Sequence, residues 1–316
     1  MSAVARRLIA DLGATNARFA VLEPDGEIGQ ASVLSGIEYD TAADAIGAYL
    51  GSLKGERPTE AAFAIAAPVI GDEITMINSS WRFSLEATKK TFGWMRLIAM
   101  NDFKANALAV PHLKPGDLVK IGEGAPEPRA TIGVLGPGTG IGVAALVPAK
   151  DGWVAVDGEG GHVTLAAMDS REAAIIDILH RQFAHVSAER VLSGPGLVNL
   201  YDALCELAGK PAGPLTPDHV TNVYPGCEPQ AREAVALFCA MLGTFASNVA
   251  LTFGARGGIY IMGGILPKIL EIFRRSGFRE RFEMKGRYRS YLGAIPTYVV
   301  MHPTPAFLGL RTVFED

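Results

Sequence analysis

The chain has 316 residues, of which 49% are apolar and 20% charged, and its formal net charge is −4. The length is about twice that of a common single domain and the apolar share suffices for two cores, so two domains are expected. The acidic balance gives no general attraction to phosphate backbones or anionic lipid, and neither nucleic acid nor membrane is expected as a partner.

In chain order, the residues ahead of Asp11 lack the apolar stretch of a secretory leader, so none is expected. Leu8 to Gly13 reads as a strand entering a tight turn, Arg18 to Leu22 as the returning strand, Pro24 to Gly26 as a second turn, and Ala31 to Leu34 as a third strand. Ala42, Ala45, Ile46, Tyr49, Leu50 and Leu53 mark one face of a helix. Ala61 to Ile70, the longest apolar run, predicts a buried strand; it holds Pro68 and is too short to span a bilayer. A helix over Ser84 to Phe92 and a strand over Arg96 to Met100 follow, the strand delivering Asn101 and Asp102.

The Gly-, Pro- and Glu-rich stretch Lys114 to Arg129 reads as a connector, after which the order begins again. Thr131 to Leu135 predicts a strand, Gly136 to Gly140 a turn, and Ile141 to Val147 the return. Lys150 to Gly152 makes another hairpin turn before Trp153 to Val156. The two hairpins form a weak internal repeat that would place two glycine turns opposite each other across a cleft. Helices are predicted over Glu172 to Phe183, after Ser193 as N-cap, and over Glu233 to Phe253, with a polar loop over Lys210 to Pro229. Gly257 to Met262 is a strand leading to Gly263 and Gly264. A helix over Pro267 to Phe273, a strand over Thr297 to Met301 and a last helix over Ala306 to Phe314 close the chain. Cys205, Cys227 and Cys239 fit neither a disulfide framework nor a CxxC site, so free thiols in a reducing cytoplasm are expected.

Five constellations could carry chemistry. In Asp11-Leu-Gly-Ala-Thr-Asn-Ala-Arg18 a strand ends in an acid and small residues let backbone N–H groups approach an anion, as in phosphate cradles with nearby Mg²⁺. The same residues also suit a plain hairpin. Gly136-Pro-Gly-Thr-Gly-Ile-Gly142 carries four glycines in seven residues, more than a hairpin needs, and close approach of backbone to a ligand would explain them. It lacks the Gly-Lys-Ser/Thr ending of a Walker A loop, and a strand rather than a helix follows it. Asp102 ends a buried strand, where α/β folds place catalytic groups, although it could equally cap the helix over Phe103 to Val110. Glu159-Gly-Gly-His162 could present acid and imidazole to one ligand, or His162 could be a satisfied structural histidine. The stretch around Glu189 is, taken alone, a helix start with charges. The scattered histidines form no HExxH or Cys/His cluster, and no G-x-S-x-G occurs.

Taken in order, Asp11 to Arg18, Asn101-Asp102-Phe103, Gly136 to Gly140, Gly158 to His162, Ser187 to Gly196 and Gly263-Gly264 closely resemble the bacterial glucokinase family, from about Leu8 to Gly309. The resemblance implies an α/β, duplicated actin-like ATPase (ribonuclease H-like) fold with two α/β domains around a cleft. Residues 1–112 plus 302–316 would form the small domain and 113–301 the large one. It also implies a cytoplasmic homodimer that transfers the γ-phosphoryl of ATP to the 6-hydroxyl of glucose with Mg²⁺. Matched residue by residue, Asn101, Asp102, Glu159, His162 and Glu189 would hydrogen-bond the sugar, with Asp102 as the base. Asp11 would act near Mg²⁺, directly or through water. Gly13, Ala14, Thr15, Asn16, Gly138 and Thr139 would line the phosphates, and Gly263 and Gly264 would lie near adenosine. Ala14 departs from the family, which has a second glycine there; its methyl is tolerable where φ stays negative. The alternatives are a kinase for another hexose or a catalytically idle sugar sensor, against which stands the retained Asp102. The wider repressor/kinase sugar family is a poorer match, because its kinases carry a Cys-rich zinc motif that three dispersed cysteines do not form.

Overall fold

The computed structural model describes residues 5–76, 79–222 and 229–314. The chain forms two compact units, Met1–Lys114 with His302–Asp316, and Pro115–Met301.

The first unit begins with β1 (Arg7–Leu12), β2 (Asn16–Leu22), β3 (Ile28–Ser35), α1 (Ala42–Ser52), β4 (Glu60–Ile65), β5 (Glu73–Thr75), β6 (Arg82–Ser84), α2 (Leu85–Phe92), β7 (Arg96–Asn101) and α3 (Asp102–Ala109). Five strands form one sheet in the order β3-β2-β1-β4-β7, antiparallel over the first three and parallel from β1 to β7. β1 and β4 are central and covered on both faces, which is why they read as near-continuous apolar runs. One face packs Phe19 and Phe63 against Ile46 and Tyr49 of α1, with Trp81 and Trp94. Thr41 and Asp44 start α1 with reciprocal capping bonds. The run expected as a strand over 61–70 is strand only to Ile65: β1 ends opposite at Leu12, the Ala66 N–H makes a last bond to the Leu12 carbonyl, and Pro68 has no N–H to continue the ladder.

The second unit contains β8 (Leu118–Ile121), β9 (Ile132–Pro137), β10 (Ile141–Ala149), β11 (Gly152–Gly158), α4 (Ser170–His180), α5 (Gly194–Leu207), α6 (Pro217–Asn222), α7 (Pro229–Phe253), β12 (Ile259–Ile261), α8 (Ile265–Lys268), α9 (Leu270–Arg274), α10 (Phe278–Glu283), α11 (Arg289–Ala294) and β13 (Thr297–Val300). Its sheet runs β11-β10-β9-β12-β13-β8. The β11-β10-β9 meander followed by parallel β12 and β13 reproduces the order of the first sheet, so the weak repeat of the sequence is a duplicated topology. β8 lies inside the stretch expected to be a connector. It pairs antiparallel with β13, and the Thr297 hydroxyl donates to the Ile121 carbonyl at 2.6 Å. The helix expected over 267–273 is two short helices, broken where Ile269 leaves helical geometry at φ −115°. Within the loop expected over 210–229, residues 217–222 are helical, and 223–228, with Cys227, lie outside the described residues.

The 25-residue α7 is long and apolar enough to cross a membrane by composition, yet 72% of its most apolar window is buried in this unit. Phe238, Leu242 and Ala246 lie in the core, and a Cβ on Gly243 would stand 2.2 Å from the Phe278 carbonyl oxygen, which shows how closely α10 packs on it. Cys205 and Cys239 are buried free thiols, and burial pushes Cys239 up to about 12.

The chain then returns to the first unit with α12 (Pro305–Thr312), which packs Ala306, Phe307 and Leu310 against the sheet and α3. A Cβ on Gly309 would fall 1.8 Å from the Ala105 carbonyl oxygen, so the crossing of α12 and α3 depends on that glycine. Gly309→Ala is expected to lower Tm by about 5 °C or more through overpacking. Gly51→Ala, in α1 with open space around it, should leave Tm within about 1 °C or raise it by helix propensity. Thermal unfolding of both variants checks this; equal shifts would contradict it.

Candidate active site

In the first unit the candidate residues sit at the C-terminal ends of β1 and β7. Strand register across the first hairpin puts Arg18 opposite Asp11, with its Nη1 3.3 Å from Asp11 Oδ2. Burial pushes the Asp11 carboxyl above its ordinary range, and the Arg18 guanidinium opposes this without cancelling it. Arg18 is thus part of the arrangement through Asp11. The signal was the alternation of strand residues across a four-residue turn, which sets 11 opposite 18. The turn itself closes with the Gly13 N–H on the Asn16 carbonyl at 3.1 Å, and the Gly36 N–H donates to Thr15 O at 2.9 Å. Gln30 and Arg129 are the non-glycine residues with positive φ among the described residues, so Ala14 keeps an ordinary backbone and its methyl adds no strain.

At the end of β7, Asn101 is the N-cap of α3: its Oδ1 accepts the N–H of Phe103 at 2.8 Å and of Lys104 at 3.3 Å. This corrects the capping alternative for Asp102, which is instead the first helical residue, its Oδ1 also accepting the Phe103 N–H at 2.9 Å. Asn101 Nδ2 points toward Ala67 O at 3.4 Å.

In the second unit the candidates gather around the start of β10. The glycine turn closes with the Gly138 N–H on Gly140 O at 2.7 Å. Glu189 reaches across to accept the Ile141 N–H at 3.1 Å, and a Cβ on Gly140 would stand 2.2 Å from Glu189 Oε2. Ser193 caps α5, and the Gly194 N–H donates to Gly138 O at 2.8 Å, so the segment carrying Glu189 also holds the turn. Gly263, at φ +99°, lies where a Cβ would approach Pro137 O to 2.4 Å. A Cβ on Gly161 would come within 2.0 Å of Ile141 O, and one on Gly160 within 2.9 Å of Val143. The two glycines between Glu159 and His162 thus serve close packing on β10. They carry Glu159 and His162 on an exposed turn, Nε2 to Oε2 3.9 Å apart, with the imidazole side chain 46% exposed. Such exposure does not fit a satisfied core histidine.

Gly138 and Gly264 differ from these neighbours. Neither has left-handed φ, and a Cβ would meet nothing within 4 Å of Gly264 and only Gly140 O, 4.0 Å away, at Gly138. Internal packing does not require glycine at either position. No group of three or more His, Cys, Asp or Glu able to hold a metal occurs among the described residues. One desolvated carboxylate at a glycine turn suits Mg²⁺ arriving with nucleotide phosphates, since that ion takes one or two protein carboxylates and keeps the rest of its shell in phosphate and water.

A duplicated α/β unit with a glycine-containing turn at the end of each first strand is the pattern of the actin-like ATPase fold, to which sugar kinases belong. A solved glucokinase from an Antarctic psychrotroph matches with a TM-score of 0.84 and 33% identity, over 98% of this chain and 99% of that one. A ROK family glucokinase from Streptomyces griseus, solved in complex with glucose and AMPPNP, shares the fold at a TM-score of 0.68 and 16% identity, over 98% of each chain. The sequence matches the Glucokinase family over residues 8–316. It is 53% identical over 312 residues to the glucokinase of Paramagnetospirillum magneticum, covering 98% of this chain and 97% of that one. The chain belongs to the glucokinase family.

The Asp11 shift has a measurable sign. A carboxyl whose pKa is raised on folding contributes stability below its unfolded value of 3.8, and that contribution is lost as pH rises through the folded value. Asp11→Asn removes the loss. The variant should gain thermal stability relative to the parent as pH rises above about 4, with the gain levelling off once Asp11 is ionised in the fold. Melting curves across pH check this; a variant less stable at pH 8 than at pH 4, relative to the parent, would contradict it.

Proposed function

We propose that the protein transfers the γ-phosphoryl of ATP to the 6-hydroxyl of D-glucose, with Asp102 as general base. The observation that carries the assignment of the base is the division of labour at the start of α3. Asn101 caps the helix, so Asp102 is not needed for that task, and it stands just past the C-terminal end of a parallel strand, where this fold class presents reactive groups. Membership of the glucokinase family supports the reaction and the substrate.

In this reading Asn101 and Asp102 hydrogen-bond the hydroxyl end of the sugar, while Glu159, His162 and Glu189 serve its anomeric end. Paired donors and acceptors of this kind reject analogues that lack a hydroxyl, because a buried partner is then left unmatched. Phosphoryl transfer asks for positioning and charge neutralisation more than covalent help. The sugar hydroxyl is a weak nucleophile, and Asp102 takes its proton as the oxygen–phosphorus bond forms and the bond from the γ-phosphorus to the bridging oxygen breaks, releasing ADP. Ala14, Thr15, Asn16 and Thr139 offer backbone and side-chain donors to the phosphates, Gly13 and Gly138 leave room for them to approach the turns, and Gly263 and Gly264 let adenosine approach. Mg²⁺ bound with ATP supplies charge neutralisation beside Asp11. The enzyme acts as a cytoplasmic homodimer.

Asp102→Asn removes the base and little else. Asparagine keeps the shape and an Oδ1 able to accept the Phe103 N–H, and the Asn101 cap is untouched, so the fold survives. It cannot take the proton, so kcat should fall by about 10²–10⁴ while glucose affinity changes far less. Glucose titration alongside steady-state kinetics reads both. A folded variant that keeps more than about a tenth of the parent kcat would remove Asp102 from the role.

A further inference from the structure

The turn bearing His162 runs directly into residues 163–168, which have no regular secondary structure beyond a single bridge. Their main chain is tied to the segment leading into Glu189: Leu165 N–H donates to Val186 O at 3.0 Å, Ala188 N–H to Val163 O at 2.9 Å, and Thr164 bridges to Ser187. Beneath lies a small cavity of about 20 Å³, lined in part by Val163, Thr164, Leu165, Glu172 and Thr244.

What holds the far end of this strap, residues 163–168, is a buried charge. Glu172, in the first turn of α4, is 0% exposed, and its Oε2 accepts the Met168 N–H at 2.8 Å. Its Oε1 lies 2.7 Å from Nη2 of Arg281, itself 12% exposed, and Arg281 bonds through Nε and Nη2 to the Thr244 hydroxyl at 3.2 and 3.0 Å. Arg281 belongs to α10, the helix seated on α7 at Gly243. Burying two charges costs desolvation that apolar residues of similar size would avoid, so the pair is a poor device for stability and a good one for fixing geometry. The chain Thr244–Arg281–Glu172–Met168 transmits the position of the α7–α10 core to the strap between His162 and Glu189.

We infer that the Glu172–Arg281 pair is a positioning device for the sugar-contacting residues, setting glucose affinity through residues 163–168. This rests on the reading of His162 and Glu189 as sugar contacts. The test uses the full chain, with steady-state constants for glucose and ATP measured on Glu172→Gln, Arg281→Lys and, as a reference, His162→Ala. In parallel, amide hydrogen exchange of the parent is followed with and without glucose.

Loss of positioning should raise KM for glucose about tenfold in both pair variants and leave KM for ATP within about twofold. In the parent, glucose should slow exchange over 163–168. A purely structural pair would lower the folded fraction and leave both KM values of that fraction unchanged, which overturns the inference. Should neither variant fold, the parent decides: unchanged exchange over 163–168 overturns it, and slowed exchange supports it. An effect of His162→Ala without one from the folded pair variants removes the positioning role alone. A silent His162→Ala removes the sugar-contact reading and this inference together.

Discussion

The second unit's candidate site is organised by the crowded backbone of one residue, Ile141 at the start of β10. Its N–H is taken by Glu189 at 3.1 Å, and its carbonyl lies where a Cβ on Gly161 would come to 2.0 Å. Gly140 makes room for the same carboxylate, and Gly263 makes room for Pro137 on the paired strand. Backbone at this density admits no side chain at 161 or 263, and one at 140 would displace the Glu189 carboxylate, so the glycine turn, the Glu159–His162 turn and the Gly263 corner are tied to one another. Positioning of that kind is what phosphoryl transfer needs, because errors of an ångström cost large factors in rate.

The two halves of the duplication use their hairpins differently. In the first, a part-buried strand-end carboxylate stands at the turn, its pKa raised by desolvation and countered by Arg18. In the second no acid ends the strand, and Glu189 comes from elsewhere in the chain to bond the backbone just past the turn. The repeated scaffold supplies two turns of similar build, and the residues around each divide the work. One offers a carboxylate beside the place proposed for the phosphate cation, and the other a turn closed by its own hydrogen bonds.

Elements made by local pattern could be read from the sequence. The strands of both meanders follow apolar runs, α1 follows its 3.6-residue spacing, and Ser84 and Ser193 mark the starts of α2 and α5. What escaped depends on distant partners. Leu118–Ile121 is four residues in a polar, Gly- and Pro-containing stretch, and it becomes a strand because β13, far along the chain, lies beside it. The end of β4 is set by where β1 stops, which hydropathy from Ala61 to Ile70 does not record. The glycines at 160 and 161 stood out as a motif, but their reason, packing on Val143 and Ile141, needs the fold. Asn101 takes the cap for which the sequence offered Asp102, because either side chain caps well and the backbone path chooses. Glu172 looked like an ordinary charge on a helix, and nothing local told of its burial against Arg281.

The central claim concerns which bond the protein makes, and product analysis tests it most directly. The purified chain is incubated with Mg·ATP and ¹³C-labelled glucose, and ADP and sugar products are followed together by phosphorus and carbon NMR. The account predicts ADP and glucose 6-phosphate appearing in equal amounts, with the phosphorus coupled to carbon 6 and no ADP formed when glucose is omitted. Phosphate at another carbon, or ADP released as freely without sugar as with it, would contradict it.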